Sequence, residues 1–352
     1  GDRRWVRPGP DKEKGLVNIM QTKQFDIKKW AQNNAIYLVL IAIIILITVK
    51  NPAFLSLRVF RDILMQSSTR LIMAMGCMFV ILSGGADLSG GRMLGAAAVL
   101  AGSLAQMSTY ANKFFPNLQE LPIIVPIIAC LLMGMAMGLL NGIVVAKLNV
   151  PAFIGTLGVQ LIIYGGISIY YNMEPNRSQP LGGFLKTYSK LGTGSFFGIP
   201  YILIIAVVLM IACHIVLNYH RFGKTLFAVG GNQEAARVSG INVQRIIMIV
   251  YIIAGAFYGL TGALEAARTG GATNNYGQGY ELDAIAACVV GGCSVAGGVG
   301  AVPGVAIGVT VFTVIQYGMT FVGINPYWQN VVKGAIIVIA VAIDVRKYAK
   351  KR

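Results

Sequence analysis

Six ionisable residues lie within or directly beside long apolar runs of the sequence. They are Asp87, Glu265, Glu281, Asp283, Lys333 and Asp344. Charge inside a lipid bilayer is costly, so such residues commonly pair with each other or line a polar path. For at least one of Glu281 and Asp283 we expect a structural role, because a negative charge suits the start of a helix. Lys333 is expected to pair with a carboxylate or to extend towards water, and Asp344 to form a surface pair.

Asp87 lies in the segment GGADLSGG (84–91), where two glycine pairs flank a short polar stretch. Glycines interrupt a helix, and Asp87 or Ser89 can cap the helix that follows. The same spacing of glycine pairs recurs at 291–292 and 297–298. Paired interruptions of membrane helices are typical of a path for a solute, whereas glycine pairs also serve tight helix packing. Both interpretations of Asp87, a capped turn and a path residue, stay open.

The sequence gives little support for disulfides, metal binding, phosphate binding or catalysis. The cysteines are Cys77, Cys130, Cys213, Cys288 and Cys293. All lie in apolar stretches without a CxxC pair, which predicts buried thiols rather than disulfides or a metal site. Gly223-Lys224-Thr225 matches the end of a phosphate-binding loop, but the first glycine of that motif is replaced by Asn218 and no strand precedes it. We predict no catalytic residue, no metal site and no cofactor bound by this chain.

A polar segment, RFGKTLFAVGGNQEAARVSGIN (221–242), interrupts the apolar sequence. Asn232 is a good N-cap, Glu234 suits a first helical turn, and Gly240 fits the left-handed position that ends a helix. The segment therefore predicts a two-turn helix, which is too short to be stable alone and must dock on another surface. It is either an interfacial connector or a helix that inserts into a cytoplasmic ATPase.

The elements that carry these residues are long apolar runs, such as 36–49, 201–217 and 335–343. Of the 352 residues, 56% are hydrophobic and only 12% are charged. A helix that spans a bilayer needs about 20 mostly apolar residues, and only helices or closed barrels satisfy every backbone polar group in lipid. The runs are continuous rather than alternating, which disfavours a barrel. The sequence predicts an all-α polytopic membrane protein.

We predict about ten transmembrane helices, with a short helix between spans 6 and 7. The predicted spans are 35–49, 70–84, 91–108, 122–146, 152–171, 200–218, 246–267, 282–297, 302–320 and 329–345. Lys and Arg are more numerous on the side that holds both termini, with Arg92 counted there and Arg70 on the outer side. This bias predicts cytoplasmic termini. It also explains the net charge of +16 without a nucleic-acid partner.

Several motifs together resemble one transporter family. They are GGNQEAARVSGIN (230–242), GYELDAIAACVVGGCSVAGGVG (279–300), GLLNGIVVAKLNVPAFIGTLG (138–158) and SGGADLSGG (83–91). These segments resemble the permease subunits of bacterial ABC importers for monosaccharides, the ribose/galactose group. The C-terminal VGINPYWQNVVKGAIIVIAVAIDVRKYAKK (322–351) is particularly similar to the galactose/methyl-galactoside branch.

The resemblance implies a permease domain at 30–352 and a cytoplasmic tail at 1–29, of which residues 1–19 are interpreted as a tag or a misassigned start. It implies a homodimer with a second permease copy in the lipid of the bacterial inner membrane. A separate ABC ATPase would bind ATP and Mg, and a periplasmic sugar-binding protein would deliver the monosaccharide. The residues implied for ATPase coupling are Gly230, Gly231, Asn232, Glu234, Ala235, Ala236, Arg237, Ser239 and Gly240.

Two further sets of residues are predicted in this setting. Candidates for the translocation path are Asp87, Ser89, Asn141, Thr156, Glu281 and Asp283. Candidates for docking the binding protein are the outer positive residues Arg58, Arg61, Arg177, Lys186, Lys190 and Arg268. For any single docking residue, ordinary solvated loop charge is the simpler interpretation.

Three alternative functions stay open at this point. The same type of importer could carry ribose, xylose or another small solute. An ion-coupled secondary transporter would need no ATPase. A membrane scaffold or receptor would move no solute.

Overall fold

The computed structural model describes residues 35–349 of the chain. The predicted tail at 1–29 and residues 350–352 lie outside the described residues. The first half consists of α1 (Ala35–Lys50), a 3-10 turn (Pro52–Leu55), α2 (Leu57–Leu82), α3 (Gly90–Leu104), α4 (Ile124–Gly142) with a π-helical turn (Ile143–Lys147), and α5 (Ala152–Tyr171). Most of the connections are short, but a long loop, 105–123, joins α3 to α4.

The second half begins with a short helix α6 (Lys186–Thr193) and a two-stranded antiparallel hairpin, β1 (Ser195–Phe196) and β2 (Ile199–Pro200). It continues with α7 (Tyr201–Asn218), α8 (Arg221–Gly231), α9 (Gln233–Val238), α10 (Val243–Thr269), α11 (Tyr280–Val290), α12 (Val302–Phe321) and α13 (Pro326–Ala349). The described part of the chain is therefore almost entirely helical, as the sequence predicts.

Seven helices within residues 35–349 are long and apolar enough to cross a membrane. They are α2, α4 with its π-helical turn, α5, α7, α10, α12 and α13. Helix α1 has 16 residues, α3 has 15 and α11 has 11. At 1.5 Å per residue α3 and α11 are about 22 and 16 Å long, less than the roughly 30 Å of the bilayer core. The predicted spans 91–108 and 282–297 are thus too long, and a count of ten crossings stays a prediction.

Two arginines that the sequence places at the very start of predicted spans lie further inside helices or in a first turn. Helix α2 begins at Leu57, because the Ser56 hydroxyl accepts a hydrogen bond from the backbone N–H of Val59 at 3.4 Å. Arg70, the first residue of the predicted span 70–84, therefore lies in the middle of α2. Arg92, the second residue of the predicted span 91–108, lies in the first turn of α3.

The core is built on α2, α3 and α10, whose buried residues include large side chains, such as Met75 and Met78 of α2, and small ones, such as Ala97 and Ala98 of α3. Gly134 and Gly138 of α4 lie against the backbone of α10, opposite Gly255 and Tyr251. Because glycine has no side chain, these helices approach each other closely, as in many membrane proteins. By contrast, α5, α7 and α13 expose apolar side chains such as Leu161 (70%), Val208 (60%) and Val338 (68%). An apolar exterior around a closely packed core suits a lipid environment.

Candidate functional site

Four of the predicted path residues come together around the segment 83–89, which joins α2 to α3. The Ser89 hydroxyl donates to Asp87 Oδ1 at 2.6 Å, and the Ser89 backbone N–H donates to the same oxygen at 2.9 Å. Asn141 of α4 donates through Nδ2 to Ser89 Oγ at 2.7 Å and to Asp87 Oδ1 at 3.2 Å. The backbone N–H of Leu88 donates to Thr156 Oγ1 of α5 at 3.1 Å.

This Asp87 cluster (Asp87, Ser89, Asn141 and Thr156) is sealed inside the protein. Asp87 is 2% exposed, and Ser89, Asn141 and Thr156 are completely buried. A carboxylate that accepts from a local N–H and hydroxyl fixes a turn at the head of a helix. Asp87 Oδ2 and Asn141 Oδ1 have no hydrogen-bond partner within the described residues. The cluster can hold helix α3 to α4 and α5, and a role of its residues in the path stays a prediction.

Glu281 and Asp283 lie apart from that cluster, in the first turn of α11. Asp283 forms a 2.7 Å ion pair with Lys333 of α13 and accepts from Gln316 of α12 at 3.0 Å. The pairing of Lys333 with a carboxylate is one of the two outcomes that the sequence predicts. Asp283 thus ties three helices together through a buried charge.

Glu281 of α11 contacts the first turn of α3. Its carboxylate lies against Gly91, where any side chain would collide with Glu281 Oε2 and with the carbonyl of Gly277. Arg92, the next residue in the chain after Gly91, places its guanidinium over the Tyr164 ring, 4.2 Å from the ring centroid. The N-terminal ends of α3 and α11 therefore adjoin at a glycine, with one acid and one base between them.

A second network of charges joins α10 to the beginning of α11. Arg268 donates to both oxygens of Glu265, at 2.6 and 2.9 Å, and the Tyr280 hydroxyl donates to Glu265 Oε1 at 3.3 Å. Glu265 is only 2% exposed. The positive charge of Arg268, a predicted docking residue, is therefore already paired inside the chain.

Of the other predicted docking residues, Arg61 is half-buried and the rest are exposed. Arg61 donates to the carbonyl of Thr193 at 3.3 Å, which links α2 to α6. Arg177 pairs with Glu174 at 2.7 Å in an exposed loop. Lys186 and Lys190 lie on α6, and Arg58 lies in the first turn of α2. No contact tests a docking role for any member of this set, which stays a prediction.

The predicted coupling segment has the predicted local geometry. Asn232 caps α9 by accepting from the Ala235 N–H at 2.9 Å, and Gly240 has a left-handed φ of +83°. Arg237 pairs with Glu234 at 2.9 Å on the exposed face, and the Ser239 hydroxyl donates to the carbonyl of Ala235 at 2.8 Å. Of this segment, Ala236 is buried. Coupling to an ATPase stays a prediction.

Helices α8 and α9 contact the segment that leads to the Asp87 cluster. Gly230 lies against the carbonyl of Leu82, whereas the neighbouring Gly231 has open space where a side chain would be. Gln233 donates to the carbonyl of Ser83 at 3.5 Å. A groove beside this contact is lined by residues that include Ser83, Arg237 and Tyr251, and the Tyr251 hydroxyl donates to the carbonyl of Ala86 at 3.4 Å.

Sequence reasoning missed several of these residues. Gln233, Tyr251, Tyr164 and Arg92 were not among the predicted site residues, although each contacts one of the interrupted helices or the segments that lead to them. Arg92 had a signal in its position directly after Gly90-Gly91. Nothing in the sequence singles out Tyr251 or Tyr164, because aromatic residues are common in apolar spans.

Comparisons with known proteins agree with this architecture. The family model described as branched-chain amino acid transport system / permease component matches residues 59–341. The galactose/methyl galactoside import permease protein MglC of Haemophilus influenzae is 49% identical over 338 residues, covering 95% of this chain and 99% of the relative. MglC of Escherichia coli K12 is 46% identical over 327 residues, covering 92% and 97%.

A ribose permease is also related. The ribose import permease protein RbsC of Escherichia coli K12 is 34% identical over 328 residues, covering 92% of this chain and 97% of the relative. No solved structure matches this chain. The predicted resemblance to sugar permeases is confirmed, and the chain belongs to the permease family described as branched-chain amino acid transport system / permease component.

Proposed function

We propose that this chain is the membrane-spanning permease subunit of an ATP-driven importer that carries galactose or methyl galactoside. The proposal rests on the difference in sequence identity between relatives that match similar shares of this chain. Identity to two MglC proteins is 49% and 46%, against 34% to RbsC. The chain itself would be a transport subunit, and the hydrolysis of ATP would take place on a partner.

The finer arrangement follows from that assignment. The permease would act as a pair of copies in the bacterial inner membrane, crossing it ten times with both termini in the cytoplasm. A cytoplasmic ABC ATPase that binds ATP and Mg would contact α9 and the coupling residues around it, and a periplasmic sugar-binding protein would dock on the opposite end. The solute would cross by alternating access.

The local geometry supports a mechanical role for α9. It is capped at both ends, exposed on one face, and adjacent through Gly230 and Gln233 to the backbone of α2 and of the segment 83–89. A displacement of α8 and α9 would act on the stretch of chain that leads to the interrupted helix α3. Such an arrangement can convert movement of a partner into movement within the membrane.

The experiment is uptake of labelled methyl galactoside by permease-deficient cells that contain this chain with its cognate ATPase and binding protein. Uptake that requires an intact ATPase site would support both the importer class and the cargo. Uptake that persists with an inactive ATPase would overturn the ATP-driven mechanism in favour of a secondary transporter.

A ribose importer is the second candidate, because RbsC is related over nearly the same length. Competition in the same cells separates the two cargoes. If unlabelled ribose suppresses uptake and galactose does not, the importer class stands and the cargo assignment fails.

A further inference from the structure

The segment between α10 and α11, residues 270–279, forms turns rather than a helix and lies deep along α3. Near its start, Ala272 and Leu181 exchange two backbone hydrogen bonds, at 2.9 and 3.0 Å. Leu181 lies beside Gly102, whereas the carbonyls of Tyr276 and Gly277 lie beside Gly95 and Gly91. From Gly102 to Gly91 the axis of α3 rises by about 16 Å. The segment therefore descends roughly half the thickness of a bilayer core.

Irregular backbone at that depth is tolerated only where protein covers it or where it lines water. Protein covers one face of this segment, because Ala272 and Gly277 are buried. The side chains of Asn275 and Gln278 are exposed on the other face. An amide facing hydrocarbon would lose its hydrogen bonds to water at a cost of several kcal/mol. The two exposed amides therefore indicate a water-filled space.

The residues around these amides form a polar wall. The Tyr164 hydroxyl donates to Asn275 Oδ1 at 3.2 Å, and Asn274 donates to Ser168 Oγ at 3.1 Å. The Arg92 guanidinium lies over the Tyr164 ring, 4.2 Å from the ring centroid. Next to Tyr164, Gly165 and Gly166 leave open space on α5.

One acid and one base adjoin this wall. Glu281 is 8% exposed and Arg92 is half-buried, and Arg92 Nη1 and Glu281 Oε2 are both buried atoms without a hydrogen-bond partner in the described residues. The exposed side chains of the wall are the neutral amides of Asn275 and Gln278. Amides both donate and accept hydrogen bonds, which suits hydroxyl groups better than it suits a charged solute.

We propose that Asn275 and Gln278, supported by Asn274, Tyr164 and Arg92, form the wall of an aqueous path near the middle of the bilayer and hydrogen-bond a neutral polyhydroxylated solute there. The identity of the solute rests on the proposed function, whereas the water-facing wall does not. This assigns solute contacts to the exposed amides of 274–278, and it assigns the sealed Asp87 cluster to fixing α3.

The wall is tested first without any cargo. Single cysteines are introduced as Asn275→Cys and Gln278→Cys in the full chain within the assembled importer, and a membrane-impermeant sulfonated thiol reagent is applied. The five native cysteines are all buried, so their background reaction is low. Leu161→Cys is the matched control, because Leu161 is 70% exposed on the apolar surface of α5.

The Asn275→Cys and Gln278→Cys variants are expected to react on the order of tenfold faster than Leu161→Cys, because the reactive thiolate forms in water and not in lipid. Reaction of both as slowly as Leu161→Cys would overturn the proposal, whether the amides face lipid or a second copy of the chain.

Solute contact is tested by Asn275→Leu and Gln278→Leu, with Gln179→Leu in an exposed loop as the control. We expect the two wall variants to reduce methyl galactoside uptake at least severalfold at equal membrane level, and Asn275→Gln and Gln278→Asn to retain most of it. Unreduced uptake in both leucine variants would contradict the proposed contact between these two amides and the solute.

The two proposals fail differently. An unmodified importer that does not carry methyl galactoside contradicts the proposed cargo, while fast labelling at 275 and 278 still supports the wall. Slow labelling in an importer that carries methyl galactoside contradicts the wall alone.

Discussion

The carbonyl of Leu82 accepts a 2.9 Å hydrogen bond from the backbone N–H of Gly298, which joins the end of α2 to the loop between α11 and α12. Gly230, near the end of α8, lies against the same carbonyl. Gly297, at a φ of +88°, packs on Gly84. The three segments meet at these backbone contacts, so a displacement of α8 would act directly on the segment 83–89 and on the loop between α11 and α12.

Gly230→Ala should abolish most solute-stimulated transport. Its new methyl group would collide with the carbonyl of Leu82 and lie 2.6 Å from the backbone nitrogen of Gly298, and rigid backbone on both sides cannot move away cheaply. The measurement is ATP-dependent uptake together with the ATPase activity that the binding protein stimulates.

Gly334→Ala in α13 is the matched control, because nothing lies within 4 Å of the methyl group it adds and Gly334 is not among the predicted coupling residues. It should transport as the unmodified chain does. Equal uptake by the two variants at equal membrane level would contradict a role for the contact between Gly230 and Leu82.

Asn141→Leu should destabilise the protein. The substitution removes the donor to Ser89 Oγ and Asp87 Oδ1, which leaves a buried carboxylate with fewer partners. Loss of a partner for a buried polar group costs about 1–3 kcal/mol. Thermal unfolding in detergent should show a lower midpoint than for Asn117→Leu, which changes an exposed loop residue. Indistinguishable midpoints would show that the Asp87 cluster does not fix α3.

Contacts between residues that are close in the sequence could be predicted from it, and contacts between distant residues could not. The cap at Asn232 and the left-handed Gly240 follow from residues that are neighbours in the chain, and both are present in the structure. The hydrogen bond from Asn141 to Ser89 joins residues that only tertiary packing brings together. No spacing rule indicates it.

The lengths of α3 and α11 were beyond sequence reasoning for a related reason. Apolar residues continue past Leu104 and Val290, so hydropathy alone extends both spans. The chain instead leaves the helix because neighbouring backbone supplies other partners, such as the bond from the Met107 N–H to the carbonyl of Gly183. Arg70 and Arg92 were placed at the start of predicted spans for the converse reason, since a charge lowers hydropathy even where the fold sets it against an aromatic ring.

The ion pair between Asp283 and Lys333 should show strong energetic coupling. Lys333→Met leaves the 7% exposed Asp283 side chain without its cation, retaining only Gln316. Breaking a buried pair from one side costs about 3 kcal/mol or more, whereas replacing both partners by neutral groups costs less. Chemical denaturation of Lys333→Met, Asp283→Asn and the double variant measures the coupling. Strictly additive losses would exclude a direct interaction.

The close contact of α4 and α10 predicts a large difference between two glycine substitutions in helices. A methyl group at Gly255 would collide with the carbonyl of Gly134, whereas one at Gly158 of α5 meets nothing within 4 Å. Gly255→Ala should therefore lower the unfolding midpoint in detergent, since overpacking costs about 1–3 kcal/mol. Gly158→Ala should raise the free energy of unfolding by roughly 0.5–1 kcal/mol, because alanine favours the helix. Limited proteolysis of both variants checks that each is folded. If Gly255→Ala proves as stable as Gly158→Ala, then α4 and α10 are not in backbone contact, and the packing that supports the Asp87 cluster must be arranged differently.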